Sequence, residues 1–196
     1  MSEEGQVRKI NVIGNGETLK GFDLTRIKDE TIGIDAMNTY RNTDIYPDYY
    51  VCVNDDVIQS YHSEIRKMIE NDKCKSGYLL SKKILVEYPD LQSNEKVIFL
   101  EDFQKQRGNP FQYLVSWTSE SVAVLFAVIL GFNDINILGV DTPNIPDWEH
   151  IVFVLTGYTR LNNLYMNVNC WTDDEVEGVS NFFHKENIKD YFLEDI

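Results

Sequence analysis

Residues 7–16, VRKINVIGNG, join a run of β-branched and apolar side chains to a turn rich in glycine. The run is typical of a strand buried on both faces, and Gly14-Asn15-Gly16 predicts a tight turn directly after it. A buried strand followed by such a turn is typical of the first unit of an α/β sheet.

Strand and helix signals alternate along the rest of the chain. Further strands are predicted at 31–36, 49–53, 78–88, 96–100, 136–140 and 164–170. Helices are predicted from residue 57 to 69, where apolar side chains recur at helical spacing, and at 119–130, 147–163 and 173–195. We expect Asp55 or Asp56 to cap the first helix, Thr118 or Ser119 to cap the second, and Gly131 to end it. The pattern predicts one α/β domain over residues 1–196, with a Rossmann-like, mostly parallel sheet and helices on both faces.

Composition narrows the classes of function. The 196 residues are 43% hydrophobic, which is enough for a real core and excludes global disorder. The net charge is −14, so a polyanion should be repelled unless basic residues gather in one place. Residues 66–83 hold six basic side chains, which could contact phosphates or form an ordinary solvated surface. With no apolar run of membrane length, no secretory signal and three unpatterned cysteines, we expect a soluble cytoplasmic protein without membrane contact.

Small and polar residues follow the predicted strands and indicate where ligands bind. In an open α/β sheet, ligands bind beyond the carboxyl ends of the strands. The candidate binding residues are Gly14, Asn15, Gly16, Asp35, Asn54, Thr118, Ser119 and Gly139. Exposed backbone N–H groups of the Gly14-Asn15-Gly16 turn could hold a phosphate or a nucleoside edge. The alternative is a plain strand-to-helix turn, since neither a Walker loop nor a GxGxxG pattern is present.

Four residues are candidates for acid or base chemistry: Asp141 first, followed by Asp35, Glu120 and His150. His150 could equally be an ordinary surface residue. Asp141 follows a strand and is either a catalytic or ribose-binding carboxylate or a cap for the next turn. Glu120 either acts on a substrate or stabilises the dipole of its helix. The histidines show no metal-ligand spacing, so we expect no metal site and no obligatory cofactor.

Residues 13–20, IGNGETLK, resemble the opening motif of Campylobacter-type bacterial sialyltransferases. The motif is also similar to that of motility-accessory-factor glycosyltransferases and archaeal-type hydroxymethylpterin pyrophosphokinases. Residues 32–36 with 47–54, and residues 118–141, resemble later segments of the same superfamily in the same order. The resemblance implies an A-type-like glycosyltransferase that uses a nucleotide sugar as its co-substrate. It places Asn15, Asp35 and Asn54 along the nucleotide cleft, and Thr118 and Ser119 near the donor.

The chain departs from this superfamily at several positions. Asp35 stands in place of an asparagine, Glu120 in place of a glycine, and residues 142–144 in place of a tyrosine. Residues 143–150 replace the insert that carries a catalytic histidine, so we expect a sugar other than sialic acid.

The acceptor is open, and a modified DNA base is one candidate because of the basic stretch at 66–83. Two alternative functions stay open as well. One is a pterin pyrophosphokinase with Mg²⁺ on Asp35, Asp55 and Asp141. The other is a non-catalytic nucleotide-binding or interaction protein. The sequence does not predict the oligomeric state.

Overall fold

The structure is a computed structural model that describes residues 7–19, 21–35, 45–105, 118–140, 166–171 and 184–186. Within these residues, one parallel sheet has the strand order β5-β4-β3-β2-β1-β6-β7-β8. The strands are β1 (Lys9–Ile13), β2 (Glu30–Ile34), β3 (Tyr49–Cys52), β4 (Gly77–Leu80), β5 (Val97–Phe99), β6 (Asp134–Leu138), β7 (Asn167–Trp171) and β8 (His184–Glu186). The helices are α1 (Asp55–Glu70), α2 (Leu100–Gln104) and α3 (Ser119–Ile129). Short 3₁₀ helices lie at Glu17–Leu19, Leu24–Arg26, Lys82–Val86 and Pro89–Ser93.

The order in which strands are added to the sheet changes direction at β1, although neighbouring strands stay parallel. From β1 the strands run outward to β5, and the chain then returns to place β6 on the other side of β1. Ile13, the last residue of β1, pairs with Gly33 of β2 and Leu138 of β6, so the three carboxyl ends are nearly level. A crevice at this switch point is where open α/β sheets bind ligands.

Helices pack on both faces of the sheet, as the sequence predicts. On one face, α3 contacts β1, β2 and β3, and its residues 122–127 are almost fully buried. On the other face, Ile58, Ile65 and Met68 of α1 pack against Tyr50 and the neighbouring strands. The apolar character of α3 on all sides therefore reflects a central, buried helix.

Two predictions about the ends of elements are wrong, because side chains other than those expected cap the following helices. The strand predicted at 78–88 ends at Leu80, because the Ser81 hydroxyl accepts from Lys83 N at 3.2 Å and starts the 3₁₀ helix Lys82–Val86. The cap of α1 is Asn54 and not one of the two aspartates after it. Its Oδ1 accepts from the N–H groups of residues 56 and 57, at 3.0 and 3.3 Å.

The acidic C-terminal region contains a strand where a helix is predicted. Residues 184–186 form the edge strand β8, which pairs in parallel with β7, whereas the prediction was a helix over 173–195. Pairing with an available sheet edge outweighs local helix propensity here. The rest of that region and the helix predicted at 147–163 lie outside the described residues. In the described ranges, no helix is long and apolar enough to cross a membrane.

A ladder of amide side chains crosses the sheet on the face opposite α3. Asn11, Asn136 and Asn169 occupy one register across β1, β6 and β7. Asn136 Nδ2 donates to Asn11 Oδ1 at 3.2 Å, and Asn169 Nδ2 donates to Asn136 Oδ1 at 3.0 Å. Asn11 and Asn136 are almost fully buried, and the ladder satisfies Asn11 Oδ1 and both polar side-chain atoms of Asn136.

Candidate functional site

Two glycines bring the ends of β1 and β6 together at the switch point. Gly14 follows β1, and a methyl group on it would overlap the carbonyl group of Gly139, which follows β6. Gly139 has a φ of +65°, and a methyl group there would overlap the side chain of Leu19. Because only glycine has both this freedom and this small size, the local sequence fixes the close approach of the two turns.

Two of the backbone N–H groups of the first turn bond to carbonyl groups at the end of β6. Gly14 N donates to Leu138 O at 2.8 Å, and Gly16 N donates to Gly139 O at 2.7 Å. The expectation that these two N–H groups are exposed to hold a phosphate is therefore wrong. The turn has a structural task, since its donors extend the β1–β6 pairing beyond the strands.

Asn15 links the end of β1 to the end of β2. Its Nδ2 donates to the carbonyl oxygen of Ile34 at 2.8 Å. The side chain lies at the exposed rim of the switch point, beside the Gly14–Gly139 contact. Asn15 therefore joins two strand ends and stays accessible at the switch point.

Asp35 follows β2 in an unusual backbone conformation. Its φ of +55° lies in the left-handed region, which residues other than glycine adopt at a cost. Two main-chain bonds hold it there: Asp35 N donates to Val51 O at 3.1 Å, and the hydroxyl of buried Tyr50 donates to Asp35 O at 2.6 Å. The neighbouring strand β3 thus fixes the direction in which Asp35 leaves the sheet.

The Asp35 carboxylate lies against the N-terminus of α3. Ser119 Oγ donates a short hydrogen bond to Asp35 Oδ1, and the same Oγ accepts from Val53 N at 3.3 Å. Ser119 is almost fully buried. A hydroxyl has one proton, so the proton of Ser119 is committed to Asp35.

The surroundings of Asp35 favour its neutral form. Burial raises the pKa of this carboxyl to about 6, and the nearby negative charge of Glu120 raises it further. The hydrogen bonds from Ser119 and with Cys52 lower the pKa and oppose part of this shift. Burial, together with the charge of Asp35, also raises the pKa of the Cys52 thiol. Asp35 is therefore an acid that titrates close to neutral pH at the mouth of the switch point.

The start of α3 is fixed by its own cap. Thr118 Oγ1 accepts from Ser121 N at 3.2 Å, and Ser121 Oγ lies 3.1 Å from Thr118 N, which forms a capping box. Glu120 lies in the first turn and is half-buried. The positive end of the helix dipole therefore points toward Asp35 and the crevice.

The structure brings together most of the predicted binding residues. Six of them form one region at the carboxyl edge: Gly14, Asn15, Gly16, Asp35, Ser119 and Gly139. Asn54 follows β3 next to Val53, and its Oδ1 is used to cap α1. Two candidate catalytic residues, Asp141 and His150, lie outside the described residues.

Sequence reasoning missed the residues that support Asp35 from β3. Tyr50 holds its main chain and Cys52 bonds to its side chain. Strand alternation places Tyr50 and Cys52 on the same face near the strand end, which is the signal that could have found them. Where the structure describes the chain, it holds no group of three or more His, Cys, Asp or Glu residues that could bind a metal ion.

Comparison with solved structures shows a likeness that spans nearly the whole chain. A structure of the sialyltransferase CstII from Campylobacter jejuni with cytidine-5'-monophosphate superposes with a TM-score of 0.62, at 16% identity, over 93% of this chain and 87% of that chain. The fold of this chain is similar to that of CstII. The CstII complex with trisaccharide acceptor and CMP gives a TM-score of 0.59 at 16% identity, covering 92% of this chain and 87% of that chain. An α-2,3-sialyltransferase from C. jejuni in apo form gives a TM-score of 0.60 at 16% identity, over 96% of this chain and 83% of that chain.

The likeness to CstII confirms the α/β fold that the sequence predicts, and it agrees with the resemblance of the motifs at 13–20 and 118–141. No protein-family model matches the sequence, and the search of curated proteins gives no match.

Proposed function

We propose that this chain is a glycosyltransferase that transfers a sugar from a nucleotide-activated donor to a hydroxyl acceptor. The observation that carries the proposal is the convergence of Asn15, Asp35 and Ser119 at the β1–β6 switch point. It occurs in a fold similar to that of CstII, whose structures contain CMP or a CMP-sugar analogue. The nucleotide would lie along the carboxyl ends of β1, β2 and β3, with Asn54 and Thr118 completing the cleft.

The start of α3 supplies the electrostatics of the proposed reaction. In the transfer step the bond between the sugar carbon and the phosphate oxygen breaks, and a bond from that carbon to the acceptor oxygen forms. The nucleotide leaves with the electron pair, so negative charge develops on its phosphate. A helix N-terminus stabilises such charge, and α3 is the helix that begins at the crevice. The Gly14 and Gly16 N–H groups bond to β6, so they do not contribute.

A base must take the proton of the acceptor hydroxyl. Asp141 remains our first choice because it follows Gly139 and Val140 in the sequence, three residues after the last residue of β6. Glu120 and His150 are the other candidates apart from Asp35, which accepts from Ser119, and Glu120 lies in the first turn of α3. No obligatory metal or cofactor is part of the proposal.

A saccharide hydroxyl fits this chain better as acceptor than a modified DNA base. Two residues of the basic stretch 66–83 form ion pairs with acids. Arg66 Nη1 lies 2.6 Å from Asp90 Oδ2, and Lys82 Nζ lies 2.6 Å from Asp102 Oδ1. The net charge of −14 opposes the approach of a polyanion. A DNA acceptor would require steeply salt-dependent binding that is lost when Lys82 and Lys83 are neutralised.

The experiment is an incubation with CMP-, UDP- and GDP-linked sugars, followed by mass spectrometry of released nucleotide and sugar. We expect slow donor hydrolysis with at least one of them, accelerated by a suitable acceptor and reduced in Asp141→Asn. Binding without turnover at any acceptor would instead indicate a non-catalytic nucleotide-binding protein. A strict requirement for Mg²⁺ would favour the pyrophosphokinase alternative. No binding to any nucleotide sugar would contradict the proposed function.

A further inference from the structure

The hydroxyl of Ser119 has a single proton, and the structure directs it into the protein. Ser119 Oγ donates to Asp35 Oδ1 and accepts from Val53 N at 3.3 Å. While Asp35 is ionised it can only accept, so the pair keeps this arrangement. An oxygen of a bound phosphate ester is also only an acceptor. Ser119 is 1% exposed and its Oγ is already bonded to Asp35 and Val53, so such an oxygen would meet the charge of Asp35 and not this proton.

The charges around Asp35 also oppose the binding of an anion. The charged group that acts on it from α3 is Glu120, which is also an acid, and the neighbours from β3 are the neutral Cys52 and Tyr50. An ionised Asp35 therefore adds to the negative field that an anionic nucleotide would meet at the N-terminus of α3. A protonated Asp35 removes that charge and also becomes a donor.

We propose that Asp35 is a positioning residue that couples nucleotide binding to proton uptake: the nucleotide binds when Asp35 is protonated, because the neutral carboxyl no longer repels its phosphate beside the N-terminus of α3. The inference rests on the proposed function, because it assumes that the cleft holds a nucleotide. It is specific to the aspartate of this chain, since an asparagine at position 35 carries no charge at any pH.

The proposal predicts a distinct pH profile for binding. Because burial raises the pKa of Asp35 to about 6, the wild-type affinity should fall about tenfold for each pH unit above that value. Asp35→Asn should bind with an affinity that is nearly constant from pH 5.5 to 8.5, and more tightly than wild type at pH 8. Asp29→Asn is the matched control, since it removes the same charge at an exposed position before β2. It should keep the wild-type profile.

The experiment is isothermal titration calorimetry with CMP-, UDP- and GDP-linked sugars, whose phosphate esters do not change charge in this range. Titrations at pH 7.5 in buffers of different ionisation enthalpy should show uptake of about one proton by wild type and none by Asp35→Asn. An affinity that falls on acidification, as an ionised Asp35 accepting ribose hydroxyls would give, overturns the proposal. An identical flat profile for wild type and Asp35→Asn also overturns it.

A ligand-free measurement separates this inference from the proposed function. The carboxyl carbon of Asp35 should titrate near pH 6 by NMR, and Ser119→Ala should raise its midpoint because the Ser119 hydrogen bond lowers it. A midpoint near 4 that Ser119→Ala does not move overturns the coupling. If the coupling is present and no nucleotide sugar binds, the failure lies with the proposed function, and the nucleotide part of this inference fails with it.

Discussion

The main chain of Gly14, at the end of β1, lies directly against the carbonyl group of Gly139, at the end of β6. Gly16 N donates to that same carbonyl oxygen at 2.7 Å. The contact brings the ends of β1 and β6 together at the switch point, next to Asn15. The geometry of the candidate site depends on this approach of two backbones.

Gly14→Ala should destabilise the fold, because its methyl group meets main-chain atoms that cannot move aside cheaply. We expect a loss of about 1 to 3 kcal/mol in the free energy of unfolding. Gly21→Ala is the comparison: its φ is +84°, but no atom lies within 4 Å of the added carbon. It should cost about 1 kcal/mol from backbone strain alone. Denaturant unfolding of both variants measures the difference, and equal losses would contradict the predicted overlap.

The turn also shows what the sequence can and cannot predict. The buried strand at 7–13 and the glycines after it were sufficient to predict an α/β sheet with its ligand crevice at the strand ends. The direction of the Gly14 and Gly16 N–H groups could not be predicted, because it depends on β6, more than 100 residues later. The bond between Asp35 and Ser119 joins residues 84 positions apart, so it could not be predicted either. Local caps also shift the ends of elements, since the Ser81 side chain starts a 3₁₀ helix where the sequence predicts that the strand continues.

Asp35 should make stability depend on pH in a defined direction. Its pKa is raised from 3.8 to about 6 in the folded state, so between these values the folded protein binds the proton more tightly than the unfolded chain does. The contribution of Asp35 to stability is therefore highest below pH 4 and is lost as pH rises through 6. Asp35→Asn should raise the free energy of unfolding by about 1 to 3 kcal/mol at pH 7.5.

The same variant should differ least from wild type at pH 4, where Asp35 is protonated in the folded protein and about half protonated in the unfolded chain. Urea unfolding of the two proteins across pH 4 to 8 gives this difference directly, because the other acids cancel. A constant difference across the range would contradict the raised pKa of Asp35.

The amide ladder should not tolerate a charge. Asn136→Asp would place a carboxylate at a position that is 1% exposed, where Asn11 and Asn169 supply the present hydrogen bonds. We expect a loss of about 3 to 5 kcal/mol at pH 7.5, because an uncompensated buried charge is costly. Asn94→Asp is the control, since Asn94 Oδ1 accepts from Lys96 N in a partly buried loop and an aspartate keeps that bond. It should change stability by less than about 0.5 kcal/mol. Similar losses for both variants would argue against the ladder as the cause.

We expect Asn54 to have two roles, capping α1 and binding the nucleotide. Asn54→Ala removes the cap of α1 and should cost about 1 kcal/mol, whereas Asn54→Asp keeps an acceptor for the N–H groups of Asp56 and Val57. If the Asn54 amide also lines the nucleotide cleft, Asn54→Asp should retain stability and lose nucleotide affinity, because it exchanges a donor for a negative charge. Unchanged affinity in Asn54→Asp would restrict this residue to capping.

The central claim is that the carboxyl edge between β1 and β6 binds a nucleotide sugar. Hydrogen–deuterium exchange in the presence of saturating CMP-, UDP- or GDP-linked sugar tests it most directly. We predict protection for at least one of them at residues 15–19, at Asp35 and at the first turn of α3, with no change at residues 131–134 on the opposite edge. Protection confined to another part of the chain, or none with any of the three, would contradict the claim.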